Sequence, residues 1–269
     1  MTQTVLPGMP TPLFRATPAR LTTWLDCPRR YRFSYVDRPA PPKGPAWAHN
    51  SFGNTVHNAL RQWWSEPPDR RTPLEGPRLV DEAWIPDGYR DDAQAALHRE
   101  RARQVVAGYL ATLDPGAEPP GVERRVAARH GTLALEGRVD RIDRRGDELV
   151  VVDYKTGRAA LSPDDARGSL ALAVYAVAAA ATLRSPCRTV ELHHVTTGEV
   201  HSFTHTESSL DRHLGRAERL AEEIRLASTA QDFPARPGDG CRWCDFVRSC
   251  PEGRARVPQL LDPWAALPS

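Results

Sequence analysis

Lysine is almost missing from this chain. Of its 36 basic residues only Lys43 and Lys155 are lysines, so the other 34 are arginine. In a sequence where the ordinary surface cation is written as Arg, Lys155 raises the question of what a compact ammonium does there that a planar guanidinium could not. Long apolar runs are missing too, and with none of eighteen or more uncharged positions a transmembrane helix is excluded. A composition of 40% apolar and 26% charged residues argues against a wholly disordered chain. The opening MTQTVLPGMPTPLFRATPAR has no charged segment followed by an apolar one, so the expectation is a cytoplasmic chain without a secretory leader or membrane contact. In that reducing compartment the five cysteines are expected as free thiols or metal ligands. Net charge is only +2, which argues for no particular partner.

What is present falls into blocks. Residues 1–16 and 257–269 are Pro-rich and nonperiodic and are read as flexible tails. Thr17-Pro18 is an N-cap with proline at the first helical position, opening a helix through Leu21, Trp24 and Leu25 that Pro28 restarts. PAPPKGP (39–45) reads as a linker, Ser51 to Trp64 as an amphipathic helix, 67–90 as turns, and Asp91 to Leu113 as a helix. The period then changes to strands at Val122–His130, Leu133–Ile142 and Glu148–Tyr154, with Gly-containing turns between them, an antiparallel meander. A buried helix from Asp164 to Leu183, strands at Val190–Val195 and Val200–Phe203, and a helix from Glu207 to Ala227 complete the pattern. The expected class is α/β, a mixed central sheet with flanking helices behind an N-terminal helical part. The expected organisation is one domain over 17–256, with a helical part at 17–120, the sheet at 121–206 and a helix plus Cys-rich segment at 207–256.

GRVDRID followed by ELVVVDYKTGR is the densest chemistry. Asp153 and Lys155 stand two apart on a strand and so leave one face, with Tyr154 on the other. The hairpin brings Asp140 of the preceding strand beside Asp153, and carboxylates that close repel unless a cation lies between them. Oxygen ligands suit Mg²⁺ or Mn²⁺. Ordinary salt bridges among Asp140, Arg141, Asp143 and Lys155 are the alternative.

These segments resemble the PD-(D/E)xK nuclease superfamily, in particular the RecB-type exonuclease domain, whose restriction-endonuclease-like core carries an Asp…(Asp/Glu)-x-Lys motif ending in DYKTG. The resemblance implies metal-dependent cleavage of DNA, with Asp140 and Asp153 as Mg²⁺ or Mn²⁺ ligands, the Tyr154 carbonyl as a further ligand and Lys155 as the catalytic lysine. FGNTVHNAL is similar to the family's first motif, which would place His57 in the metal shell, and Glu123 in VERRV occupies an acidic position near the site. A family Gln-x-x-x-Tyr helix is matched at Tyr175, but Ala171 stands where the glutamine belongs.

Cys241-x2-Cys244-x5-Cys250 closes the patterned region, with Cys27 far upstream, and three clustered thiolates plus a distant fourth can enclose zinc or an iron–sulfur cube. CPRRYRF with that triplet is similar to the [4Fe–4S] staple of AddB-type and CRISPR-associated nucleases, which implies a structural cluster tying the two ends of the domain. Cys187 is left over as a packed small hydrophobe. Arg29, Arg30 and Arg32 interleaved with Tyr31 suit phosphates and unpaired bases of single-stranded DNA, unless the tyrosine faces the core and the arginines face water. No G-x-x-x-x-G-K-[ST] motif is present, so translocation would need a helicase partner. The expected role is a DNA exonuclease in repair, recombination or processing. A weakly active, nuclease-fold DNA-binding subunit of a helicase–nuclease complex is the alternative that Ala171 raises.

Overall fold

The computed structural model of the chain describes residues 13–157 and 159–257; most of the two expected tails lies outside them. The first described element departs from expectation. Phe14–Ala16 forms a strand, β1, in parallel register with Leu133–Leu135. Three residues carry no periodicity, and this strand owes its existence to a partner far along the chain.

Helix α1 (Pro18–Asp26) begins where Thr17 accepts the Arg20 N–H, with proline at the first helical position. Helix α2 (Pro28–Tyr31) follows at once and runs on as a π-helical turn over Arg32–Val36. Helix α3 (Ala48–Ser65) starts before the expected Ser51, and α4 (Gly76–Ala83) sits inside the stretch read as turns, opened by Pro77. Helix α5 (Asp92–Leu110) is capped by the Asp91 carboxylate.

Strands β2 (Gly121–His130), β3 (Leu133–Arg145) and β4 (Glu148–Lys155) form the expected antiparallel meander. The single helix expected over 164–183 is two, α6 (Pro163–Gly168) and α7 (Leu170–Leu183), because Ser169 leaves the helix and caps the second through the Leu172 N–H. Strands β5 (Cys187–His194) and β6 (Glu199–Thr204), then α8 (Glu207–Ala230) and a short α9 (Pro251–Arg256), complete the chain.

The six strands form one mixed sheet in the order β1-β3-β4-β5-β6, with β2 on the other side of β3. Helices α3, α4 and α5 cover one face, where Val56, Leu60, Trp63, Val80 and Val106 pack on Val150, Val152 and Tyr154. Helix α7 covers the other, against Val139, Ile142, Leu149, Val151 and Leu192. Cover on both faces explains why β4 reads as a continuous LVVV run rather than an alternation. A third cluster joins α1, α8 and the start of β3 through Leu21, Trp24, Leu133, Leu135 and Leu214. This is the mixed α/β sheet with flanking helices that the sequence predicts, and among the described residues no helix is long and apolar enough to cross a membrane.

One edge of β3 is divided. β1 holds it at Leu133–Leu135 and β4 from Arg141 onward, so among the described residues the stretch between them has no ladder partner on that side. Asp140 lies in this window.

Candidate active site

Glu123 and Asp140 face one another across the β2–β3 ladder, which is intact at Val122–Arg141 and Arg124–Val139 but interrupted between. The interruption has a cause in the backbone: Glu123 has φ +48°, a left-handed conformation that costs a non-glycine residue roughly 1–2 kcal/mol. From α3, His57 places Nδ1 3.4 Å from Asp140 Oδ1. The other Asp140 oxygen accepts the Tyr154 backbone N–H at 2.8 Å, just past the last β3–β4 pair. One ligand atom each from His57, Glu123 and Asp140 lies within 4.8 Å of the other two. Metal bonds of 2.0–2.2 Å put trans ligands about 4 Å apart, so the trio can close on a single divalent ion. Two carboxylates and an imidazole at that spacing fit such an ion, which would relieve the repulsion between the carboxylates.

The electrostatics follow from this crowding. Burial together with the Asp140 charge holds the Glu123 carboxyl above its ordinary pKa, against Arg138, whose Nε lies 2.7 Å from Glu123 Oε2. Burial pushes Asp153 up as well; Lys155 opposes this and Asp140 adds to it. For His57, burial alone would lower the pKa, but the Asp140 hydrogen bond and the charges of Asp140, Asp153 and Glu123 outweigh it and hold the imidazole above 6.5.

Asp153 stands outside the trio, its Oδ2 ion-paired at 2.6 Å with Lys155 Nζ. Lys155 keeps 46% of its side chain exposed, so the ammonium reaches the mouth of the site. The following Thr156-Gly157 loop is tied from β5, where His194 Nε2 donates to the Gly157 carbonyl at 2.8 Å. Helix α3 approaches that loop at Gly53, where a Cβ would come 3.1 Å from Thr156 Oγ1.

A family model described as "PD-(D/E)XK nuclease superfamily" matches residues 15–251. The chain belongs to the PD-(D/E)XK nuclease superfamily. Members of that superfamily are generally phosphodiester-cleaving nucleases that use divalent metals, and the nuclease fold implies DNA as the partner. Among solved structures, one described as "Crystal structure of SSO0001" is similar, at 16% identity and TM-score 0.32, covering 77% of this chain and 96% of that one. No curated protein matches.

The superfamily's sheet places the remaining predicted residues unevenly. Tyr175, from α7, lies flat on β3: a Cβ at Gly137 would come 2.3 Å from its ring, so only glycine leaves room for it. Burial, with the Asp153, Asp140 and Glu123 charges, pushes the Tyr175 hydroxyl up to about 12. Tyr154 turns its ring into the core, T-shaped to His57 with centroids 5.7 Å apart, and its hydroxyl accepts from Arg141. The salt-bridge alternative holds in part, since buried Arg141 grips Asp143 with two hydrogen bonds of 2.7 and 2.8 Å. That pair steadies the opposite face of the sheet and leaves Asp140 and Asp153 to the site.

Cys27, Cys241, Cys244 and Cys250 line one cavity of about 390 Å³, with Arg29 and Arg30 in its wall. Three of the sulfurs accept backbone N–H groups, Cys27 from Arg236, Cys241 from Gly238 and Cys250 from Gly253. Among the described residues no three of these thiols approach within 4.8 Å of one another. Cys187 is buried elsewhere, its thiol pushed up to about 12 by that burial.

The expected Arg–Tyr DNA stripe is corrected. Tyr31 is 1% exposed, edge-on to Trp24 and hydrogen-bonded from Arg20, so it cannot offer a face to a base without leaving the core. Arg29 donates to the Phe233 carbonyl, Arg30 lies 3.6 Å from Asp26 and Arg32 pairs with Asp37. Arg29 fastens α2 to the C-terminal segment and Arg32 also lies over the Phe233 ring, while Arg30 pairs within the N-terminal helices. Sequence reasoning missed Arg138, Asn54 and Asn58, which line a second cavity of about 470 Å³ with His57, Glu123 and Asp140. The spacing of Asn54, His57, Asn58 and Arg61 on α3 is the signal that could have found the two asparagines.

Proposed function

We propose that the chain is an Mg²⁺- or Mn²⁺-dependent deoxyribonuclease, an exonuclease that shortens single-stranded DNA ends in repair, recombination or processing, with a helicase as its source of unwound strand. The observation that carries the reading is the convergence of His57, Glu123 and Asp140 beside the Asp153–Lys155 pair.

In this reading His57, Glu123 and Asp140 hold the ion, with Asp153 and the Tyr154 carbonyl next to it. A bound ion supplies charge for the phosphodiester and lowers the pKa of a water molecule. The chain's own groups do the rest. The Tyr154 N–H fixes one Asp140 oxygen and leaves the other for binding. Lys155 Nζ, paired with Asp153 and half-exposed, has further N–H donors for a phosphate oxygen or the attacking water to accept. Tyr175, protonated at neutral pH, keeps an O–H to donate, and Arg138 offers a cation to the strand beyond the site. Ala171, one turn before Tyr175, supplies no amide, so strand placement on α7 rests on the tyrosine.

The four cysteines are assigned to a structural [4Fe–4S] cluster. One tetrahedral zinc, with bonds near 2.3 Å, needs all its sulfurs about 3.8 Å apart, and among the described residues no three of these thiols lie within even 4.8 Å of one another. A cube holds its thiolates farther apart, and Arg29, Arg30 and the three N–H···S bonds suit its negative charge.

Labelled oligonucleotides blocked at either end test the activity. Asp140→Asn and Lys155→Ala should each slow Mn²⁺-supported release of nucleotides by roughly a hundred-fold or more; rates equal to wild type would reject the site. Protein purified without oxygen should carry about four iron atoms per chain, and stoichiometric zinc without iron would reject the cluster.

A further inference from the structure

Trp243 stands between two of the cysteines and has no part in the chemistry above. Among the large hydrophobic side chains exposed in the described residues it is the one aromatic, 36% accessible. Its ring is not loose: Trp47 meets it edge-on at 5.5 Å and His49 at 5.0 Å. The segment is docked here, since the Gly44 N–H donates to the Asp245 carbonyl at 2.7 Å and Lys43 pairs with the Asp245 carboxylate. A rigid, partly bare indole is what a nucleobase stacks on.

The same indole lines a groove of about 800 Å³ that also contains His49, Arg101, His57, Lys155 and Thr156. Among the described residues none that line it is acidic and Arg101 makes no ion pair. The groove follows α3, on which His49 and His57 stand eight residues apart, about 12 Å at 1.5 Å per residue. At a rise of about 3.4 Å per nucleotide that distance takes roughly three nucleotides, fewer if the strand is stretched.

We propose that Trp243 is a stacking post for an unpaired base of single-stranded DNA, two to four nucleotides from the phosphate held at Lys155, with Arg101 on the intervening backbone. This rests on the nuclease reading above. Bases inside a duplex are already stacked on each other and present no face to the indole, so the post selects for unpaired strand. It also gives the cysteine segment a second task, holding one wall of the substrate groove.

The test is binding of a fluorescent twelve-nucleotide single strand to the full-length protein, with Ca²⁺ in place of Mg²⁺, followed by anisotropy. Removing the bases at positions two to four from the bound end should weaken wild-type binding about ten-fold, the loss of one stacked base. Trp243→Ala should weaken the intact strand to a similar degree and make binding indifferent to the missing bases, while Trp243→Phe restores most of both. Duplex binding should be the same in all three proteins. A wild type that binds the strand but ignores the missing bases overturns the stacking post alone, and needs no variant to fold. Trp243→Ala with the wild type's ratio between intact and abasic strands overturns it too. A wild type that binds no strand at all overturns the nuclease reading together with the post.

Discussion

Replacing Glu123 by glycine and by alanine should give stabilities in the reverse of their usual order. At an ordinary strand position alanine is better than glycine by about 0.5–1 kcal/mol, because glycine has more conformational freedom to lose. At φ +48° the Cβ of alanine meets the following carbonyl, a cost of roughly 1–2 kcal/mol that glycine avoids. Both substitutions remove the carboxylate, its repulsion with Asp140 and its ion pair with Arg138, so those contributions cancel between them. The remainder predicts E123G more stable than E123A by about 1 kcal/mol, or roughly 2–4 °C in Tm for a chain of this size. Thermal unfolding of the metal-free proteins measures the difference, and both variants should lose Mn²⁺ affinity to the same degree. E123A equal to or more stable than E123G would mean that Glu123 is not strained and that its aim at Asp140 has another origin.

Metal binding should release protons and tighten with rising pH, since Glu123, Asp153 and His57 all have folded pKa values above their ordinary ones. For the same reason their share of metal-free stability is complete below the ordinary carboxylate range and is lost as pH climbs through the folded values, the His57 part above 6.5. Titration calorimetry in buffers of different ionisation enthalpy and the wild-type minus E123Q stability across pH check both signs. Arg141→Met should cost about 1–3 kcal/mol, because it removes both hydrogen bonds to the half-buried Asp143 and leaves the Tyr154 hydroxyl with only the long Trp64 contact, and R141M/D143L should recover much of it in chemical denaturation. Gly137→Ala should destabilise by roughly 1–3 kcal/mol through its clash with Tyr175, and adding Tyr175→Ala should relieve most of that clash in the same assay.

The strands and the carboxylate–lysine motif were legible because they are local: alternation, Gly turns and DYKTG all lie within a few residues of one another. Helix α4 was not, since Gly76-Pro77 reads as a turn although proline is at home in a first helical turn. The break at Ser169 was hidden by the apolar run on both sides of it. Arg138 looked like one surface arginine among 34, and only the strand crossing gives it Glu123 as a partner. Tyr31 failed in the opposite direction: the sequence shows an aromatic among arginines, and burial against Trp24 is decided by α8 and Phe233, some two hundred residues away.

The two tight turns of the meander act as a ruler for the site. Glu123 lies seven residues before His130 and Asp140 seven after Leu133, the pair that closes the first turn; Asp140 lies five before Arg145 and Asp153 five after Glu148, the pair that closes the second. Gly131 and Gly146, with φ +52° and +60°, let each loop close in two residues. The alignment of three acidic side chains on three strands is therefore stored in loop length. One residue added to either turn would shift the register by one and send a carboxylate to the wrong face, without any change at Glu123, Asp140 or Asp153.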